Sequence, residues 1–243
     1  MSSLQEIKGK VAQVTPVITG EGDTDNIKMS KLGAIWTADW QAQLAAAGLC
    51  YSAHIGTLTT GADVGLIVGG GNGTTVDTDQ PELLLGVDAG YYLIPLELHV
   101  ICDMDVDTDG EYGEILFFAD RSQAPPTTAV GTPGVVTPNN QLDGGAAFPG
   151  RCYGGVTTNL TAPVMSEFID LSYVNASEFV SNGSATNLTN GIVHALRMDW
   201  YAKRPKILAG ACELCVAFGG TAAVNGMINI EFACVPSSYF PVV

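Results

Sequence analysis

A chain of 243 residues fits one large β domain or two small ones, and it is long enough to bury a core without disulfide help. Its 25 acidic and 10 basic residues give a net charge of −15, which argues against nucleic-acid and anionic-membrane partners. Phosphate binding needs clustered Lys and Arg, and the densest such group is Lys203-Arg204-Pro205-Lys206.

Charged residues are only 14% of the chain against 47% hydrophobic, so the surface is either a Thr/Asn/Gly coat or is covered by other copies. Residues 1–30 read as an N-terminal arm. The β-like run Val11 to Thr19, with Val14 and Val17 among its apolar members, precedes the turn-rich Gly20 to Asn26. Such arms order by docking on a neighbour, so Val14 and Val17 are expected inter-subunit contacts. The start of the chain lacks the charged-then-apolar pattern of a signal peptide, and no apolar run is long enough for a spanning helix. A protein made and kept in a reducing cytoplasm, or leaving it only inside a particle, is expected.

Residues 31–243 read as one β-sandwich domain. It opens on the single helix candidate, Ala38 to Ala47, with Thr37 as N-cap and Gly48 as stop, laying Trp40 and Leu44 over a sheet edge. From Leu49 the chain turns into short β-rich runs separated by Gly, Asn, Asp and Pro. Strands are expected at 49–58, 64–69, 82–86, 91–106, 113–120, 150–158, 164–173, 191–203, 206–218 and 226–235. The loops 121–150 and 175–190 are too long for hairpins and suit Greek-key crossovers. An all-β, antiparallel, jelly-roll-like sandwich is the expected fold.

The clearest strand holds Leu96, Leu98, Val100, Cys102, Met104 and Val106 at every second position, which assigns them to one face. The acidic turn Asp107-Thr108-Asp109-Gly110 and the apolar run Ile115 to Ala119 then predict a β-hairpin. Ile207 to Val216 and Met227 to Phe232 predict a second.

Asp105-x-Asp107-x-Asp109-Gly110 matches the first half of a calcium loop, but Leu116 stands where the closing glutamate belongs. Two readings stand. Either Glu111 or Glu114 closes a non-helical Ca2+ site, or the turn is a solvated acidic tip that discourages edge pairing. Gly69 to Thr75 lacks the lysine and helix of a phosphate loop and reads as a flexible connection. His54, His99 and His194 stand singly, and no nucleophile motif or paired acid and base is marked, which weighs against an enzyme. The sequons at Asn72, Asn159, Asn175, Asn182 and Asn187 read as turn residues. Cys50, Cys102, Cys215 and Cys234 lie in apolar runs and read as structural thiols. Cys212 and Cys215 have no second pair with which to bind zinc. The apolar tail from Pro236 to Val243 needs cover, which makes Tyr239 and Phe240 expected contacts between subunits.

The stretches Gly33-Ala34-Ile35-Trp36-Thr37-Ala38-Asp39-Trp40, Gly69 to Thr74, Asp79-Gln80-Pro81-Glu82 and Ile94-Pro95-Leu96 resemble virion structural proteins of tailed bacteriophages, over residues 30–235. That resemblance implies a capsid decoration, coat or tail component assembled in many copies, a trimer or higher homo-oligomer among other virion proteins. It carries over no catalytic residue. A different function class is a carbohydrate- or receptor-binding module of a phage tail, with Asp103, Asp105, Asp107 and Asp109 holding calcium. A third is a cupin-like enzyme, which needs His99 and His194 to converge inward on adjacent strands.

Overall fold

The computed structural model describes residues 10–11, 28–29, 40–56, 78–105, 112–128, 130, 134–156, 167–175, 194–204, 206–220 and 223–239. Val14, Val17, Asp107, Asp109, Glu111 and Phe240 lie outside these residues, as do the expected strand 64–69 and the glycine loop 69–75. Two short strands, β1 (Lys10–Val11) and β2 (Lys28–Met29), form a parallel pair.

The body is an all-β sandwich of two antiparallel sheets with one α-helix among the described residues. Its strands are β3 (Cys50–Ile55), β4 (Leu83–Val87), β5 (Tyr91–Asp105), β6 (Tyr112–Asp120), β7 (Gly134–Val135), β8 (Asn139–Asn140), β9 (Arg151–Gly154), β10 (Glu167–Asn175), β11 (His194–Tyr201), β12 (Leu208–Ala209), β13 (Cys212–Gly220) and β14 (Ala223–Pro236). The first sheet runs β10-β6-β13-β4-β9-β7. The second runs β11-β5-β14-β3-β8, with β12 added beside β5. Expected and observed strands agree closely, because a half-buried strand is written in alternating polarity that needs no partner to be read.

Both expected hairpins are absent. β5 lies in the second sheet and β6 in the first, and β13 and β14 are divided in the same way. Each connection therefore crosses the sandwich. Alternation shows that one face of a strand is buried but not whether the next strand lies beside it or opposite it. Here it lies opposite: Leu98, Val100 and Cys102 of β5 share the central core with Ile115, Phe117 and Ala119 of β6. Phe218, Phe232, Leu83, Leu85, Leu93 and Leu196 are fully buried nearby. At about 2 kcal/mol for each large side chain buried, this layer is the main source of cohesion.

The expected strand 206–218 breaks in two. β12 pairs with β5 in the second sheet, and β13 pairs with β4 and β6 in the first. The break falls at Gly210, where an added Cβ would sit 2.2 Å from the Asp88 carbonyl oxygen, so only glycine fits the crossing.

Leu96 is on the opposite face from the one its spacing predicts. Against β14 the register skips from Glu231–Glu97 to Phe232–Pro95, leaving Leu96 as the extra residue of a bulge. The bulge reverses the alternation. Leu98 and Val100 face the central core, whereas Leu96 and Ile94 face outward with Cys50, Ala233 and Val235.

Helix α1 (Trp40–Ala46) covers that outward patch with Leu44, so it lies on the face of the sheet and not at its edge, and Trp40 stays largely exposed. The expected stop is borne out. Gly48 sits at φ 71°, its N–H donates to the Ala45 carbonyl at 2.9 Å, and the Leu49 N–H donates to Leu44 at 3.0 Å. These two bonds make a Schellman cap, with Leu44 and Leu49 supplying its apolar contact.

Candidate functional site

The outer face of the second sheet carries a polar network that joins two strands. On β5 the outward positions below the bulge are Glu97, His99 and Ile101, and register places Tyr201, Asp199 and Arg197 of β11 directly beside them. Asp199 and the His99 ring meet at Nδ1, 2.8 Å from Oδ1, while Nε2 meets the Glu97 carboxylate. Arg197 reaches Asp199 with two nitrogens. The Tyr201 ring stands edge-on to His99 with centroids 5.3 Å apart. The hydrogen bond from the His99 ring to Asp199 raises the His99 pKa, and Glu97 adds to the effect against a partial loss of hydration. Asp199 is lowered by Arg197 first and by His99 second.

Two carboxylates on the two ring nitrogens favour the imidazolium form of His99, and in that form both nitrogens donate. The network therefore fastens two strands and presents charge. His99 faces outward, and on β11 the residue opposite it is Asp199, whereas His194 is opposite Met104. The inward convergence that a cupin-like centre requires is not formed by this pair.

Two surface grooves meet at Tyr201. One, of about 490 Å3, lies between α1 and the sheet and is lined by Gln41, Ala42, Glu97, Gln141, Tyr201 and Glu231 among others. The other, of about 630 Å3, lies toward β10 and is lined by Asp170, Asp199, Tyr201, Lys203, Arg204 and Lys206 among others. Lys206 pairs with Glu167, which also binds Arg121.

A second ionisable cluster lies on the outer side of the first sheet. Glu213 stands opposite Asp120 in the β13–β6 register, and both are buried. Burial, with the Asp120 charge added and Arg151 opposing, pushes Glu213 up to about 7. Asp120 accepts bonds from the Ser122 N–H at 2.7 Å and the Gln123 amide at 3.1 Å. Arg151 Nε donates to the Pro125 carbonyl at 3.1 Å, and the Tyr153 hydroxyl donates to Pro126 at 2.7 Å. These bonds tie the proline-rich segment over the sheet. Buried Glu82 accepts the Phe218 N–H at 2.7 Å, continuing the ladder just before β4 begins.

Of the expected calcium ligands, Asp105 ends β5 in the second sheet and Glu114 lies on β6 in the first. Among the described residues no group of three or more His, Cys, Asp or Glu could hold a metal ion. Tyr239 ends a 3-10 turn (Ser237–Tyr239) and is substantially exposed, so the described part of the tail does not cover it. All six cysteines are free and buried, and Cys212 and Cys215 occupy opposite faces of β13. Sequence reasoning missed the Glu97–His99–Asp199–Arg197 network because its members lie on strands about a hundred residues apart. The alternation of polar residues on 97–101 and 197–201 was the available signal.

The fold is that of an all-β sandwich, and no helix among the described residues is long and apolar enough to cross a membrane. No protein family, curated protein or solved structure matches the chain.

Proposed function

We propose that the protein is a virion structural subunit, a capsid-surface decoration or coat component assembled in many copies and made in the host cytoplasm. The observation that carries this reading is the edge strand β10. Phe168, Leu171 and Tyr173 leave 54%, 47% and 53% of their surface exposed on its outer side. Edge strands are ordinarily blunted with charge, proline or cover, and an apolar one invites another chain. Low charge content and the phage resemblance point the same way. Counting β3, β4, β5, β6, β10, β11, β13 and β14 as one to eight, the sheets read 1-8-3-6 and 2-7-4-5. We take this as the double Greek key of a jelly roll, an architecture that serves viral coats. The charge of −15 suits an outer surface better than one facing packaged phosphates.

Size-exclusion chromatography with light scattering on the purified protein tests the reading. A trimer or larger ring is expected, and a monomer at every concentration would count against it. Replacing both Phe168 and Leu171 by Ser should shift the assembly toward smaller species.

The second reading, a carbohydrate- or receptor-binding tail module, draws support from Tyr201, which is 55% exposed beside a groove of amides and carboxylates. Calcium assistance of such a module predicts heat and a higher melting temperature on titration with calcium. Absence of both removes the metal from the scheme.

A further inference from the structure

The two grooves beside Tyr201 differ in charge. Lys203, Arg204 and Lys206, three of only 10 basic residues in the chain, line one of them together with Asp170 and Asp199, and Asp199 is already held by Arg197 and His99. Lys206 is engaged by Glu167, while Lys203 and Arg204 have no ion-pair partner among the described residues. The other groove is lined by Glu97 and Glu231 and, among the described residues, by no lysine or arginine. These two carboxylates are register partners on β5 and β14, an arrangement of like charges that costs stability in an isolated sheet. His99 offsets Glu97, but no cation of the described residues reaches Glu231.

We infer that this face docks a second copy of the chain, the Lys203–Arg204 groove of one copy meeting the Glu97–Glu231 groove of the next. The inference rests on the assembly reading and deepens it by naming the contact. A face that bears both signs side by side is complementary to a displaced copy of itself. Within one chain, Tyr201 lines both grooves and stands between them. Its exposed ring, with exposed Ile101 on the same face, supplies an apolar anchor between the charged pairs. Because the two patches differ, the contact is head-to-tail, and successive head-to-tail contacts build a ring where the rotation between copies closes and a filament where it does not. Neutralising Glu231 from outside also removes the like-charge opposition that a lone subunit carries.

The test compares the wild-type chain with three variants by light scattering, with circular dichroism and melting curves as the check on folding. One variant is K203E/R204E, the second is E97K/E231K, and the third carries all four substitutions. E231K alone stands in for the second should the pair disturb His99. Each single-groove variant is expected to associate roughly a hundredfold more weakly, since it sets like charges against each other. The four-substitution chain is expected to recover the wild-type mass because the charges are exchanged and again complementary. If the single-groove variants keep the wild-type mass, the inference is overturned while assembly stands. If the folded four-substitution chain stays dissociated, groove-to-groove pairing is overturned. A monomeric wild type overturns the assembly reading itself.

Discussion

At the scale of single residues, two groups with raised pKa values stabilise the fold toward acid pH. Glu213 binds its proton more tightly in the folded chain, with a pKa of about 7 against 4.5 for the free side chain. Its contribution is fully present below pH 4.5 and is lost as pH rises through about 7. Glu213→Gln should therefore raise stability above neutrality by roughly 2 to 3 kcal/mol and flatten the slope between those limits, as urea melts at several pH values would show. His99 acts in the same direction, because a raised histidine stabilises below its unfolded value and ceases to as pH passes the folded one. His99→Gln should cost about 0.5 to 1 kcal/mol at low pH and less above the titration, with Asp199 kept by Arg197. The ring resonances of His99 should titrate with a midpoint above 6.5. Neither group was visible in the sequence as a titrating site. Glu213 reads there as one polar residue in an apolar run, and only the strand opposite supplies Asp120.

At the scale of elements, the helix and its stop at Gly48 were legible, because both are written in contiguous residues, whereas its seat on the sheet was not and the expected N-cap Thr37 lies outside the described residues. Gly48→Ala would force a left-handed φ on a Cβ and crowd Leu142 at 3.2 Å, with an expected loss of about 1 kcal/mol by thermal melting. Leu44→Ala would empty the patch shared with Ile94, Leu96 and Val235 and should cost about 2 to 4 kcal/mol. Strands were legible as far as their spans, less so in the facing of their side chains. Leu96 was misassigned because one extra residue in β5 shifts every outward position beyond it, and a bulge is a property of two strands in register. The acidic run 107–110 suggested a hairpin, but the strands on either side of it, β5 and β6, lie in different sheets.

At the scale of the whole molecule, the fold class followed from many short alternating runs with one helix, whereas the pairing did not. Among the eight principal strands no two consecutive in the chain are neighbours in a sheet except β6 and β10. That order is fixed by which inner faces fit together, as when Phe117 of β6 meets Trp200 of β11 at 5.3 Å across the layers. The candidate site inherits the same blindness, since β5, β11 and β14 meet only after folding. The buried thiols give a direct check on the packing. All six cysteines are enclosed and their pKa values raised by burial where a shift is resolved, so a thiol reagent should label none in the native protein and six after denaturation.

β14 runs through the middle of the second sheet, bonded to β3 on one side and β5 on the other. The flanking strands do not pair with each other, so until residue 236 has left the ribosome their inner edges have no strand to bond. Nascent chains halted before β14 should be digested by protease as readily as unfolded polypeptide. Release of a few tens of residues more should convert them at once to a resistant form, making synthesis of this sheet an all-or-none event.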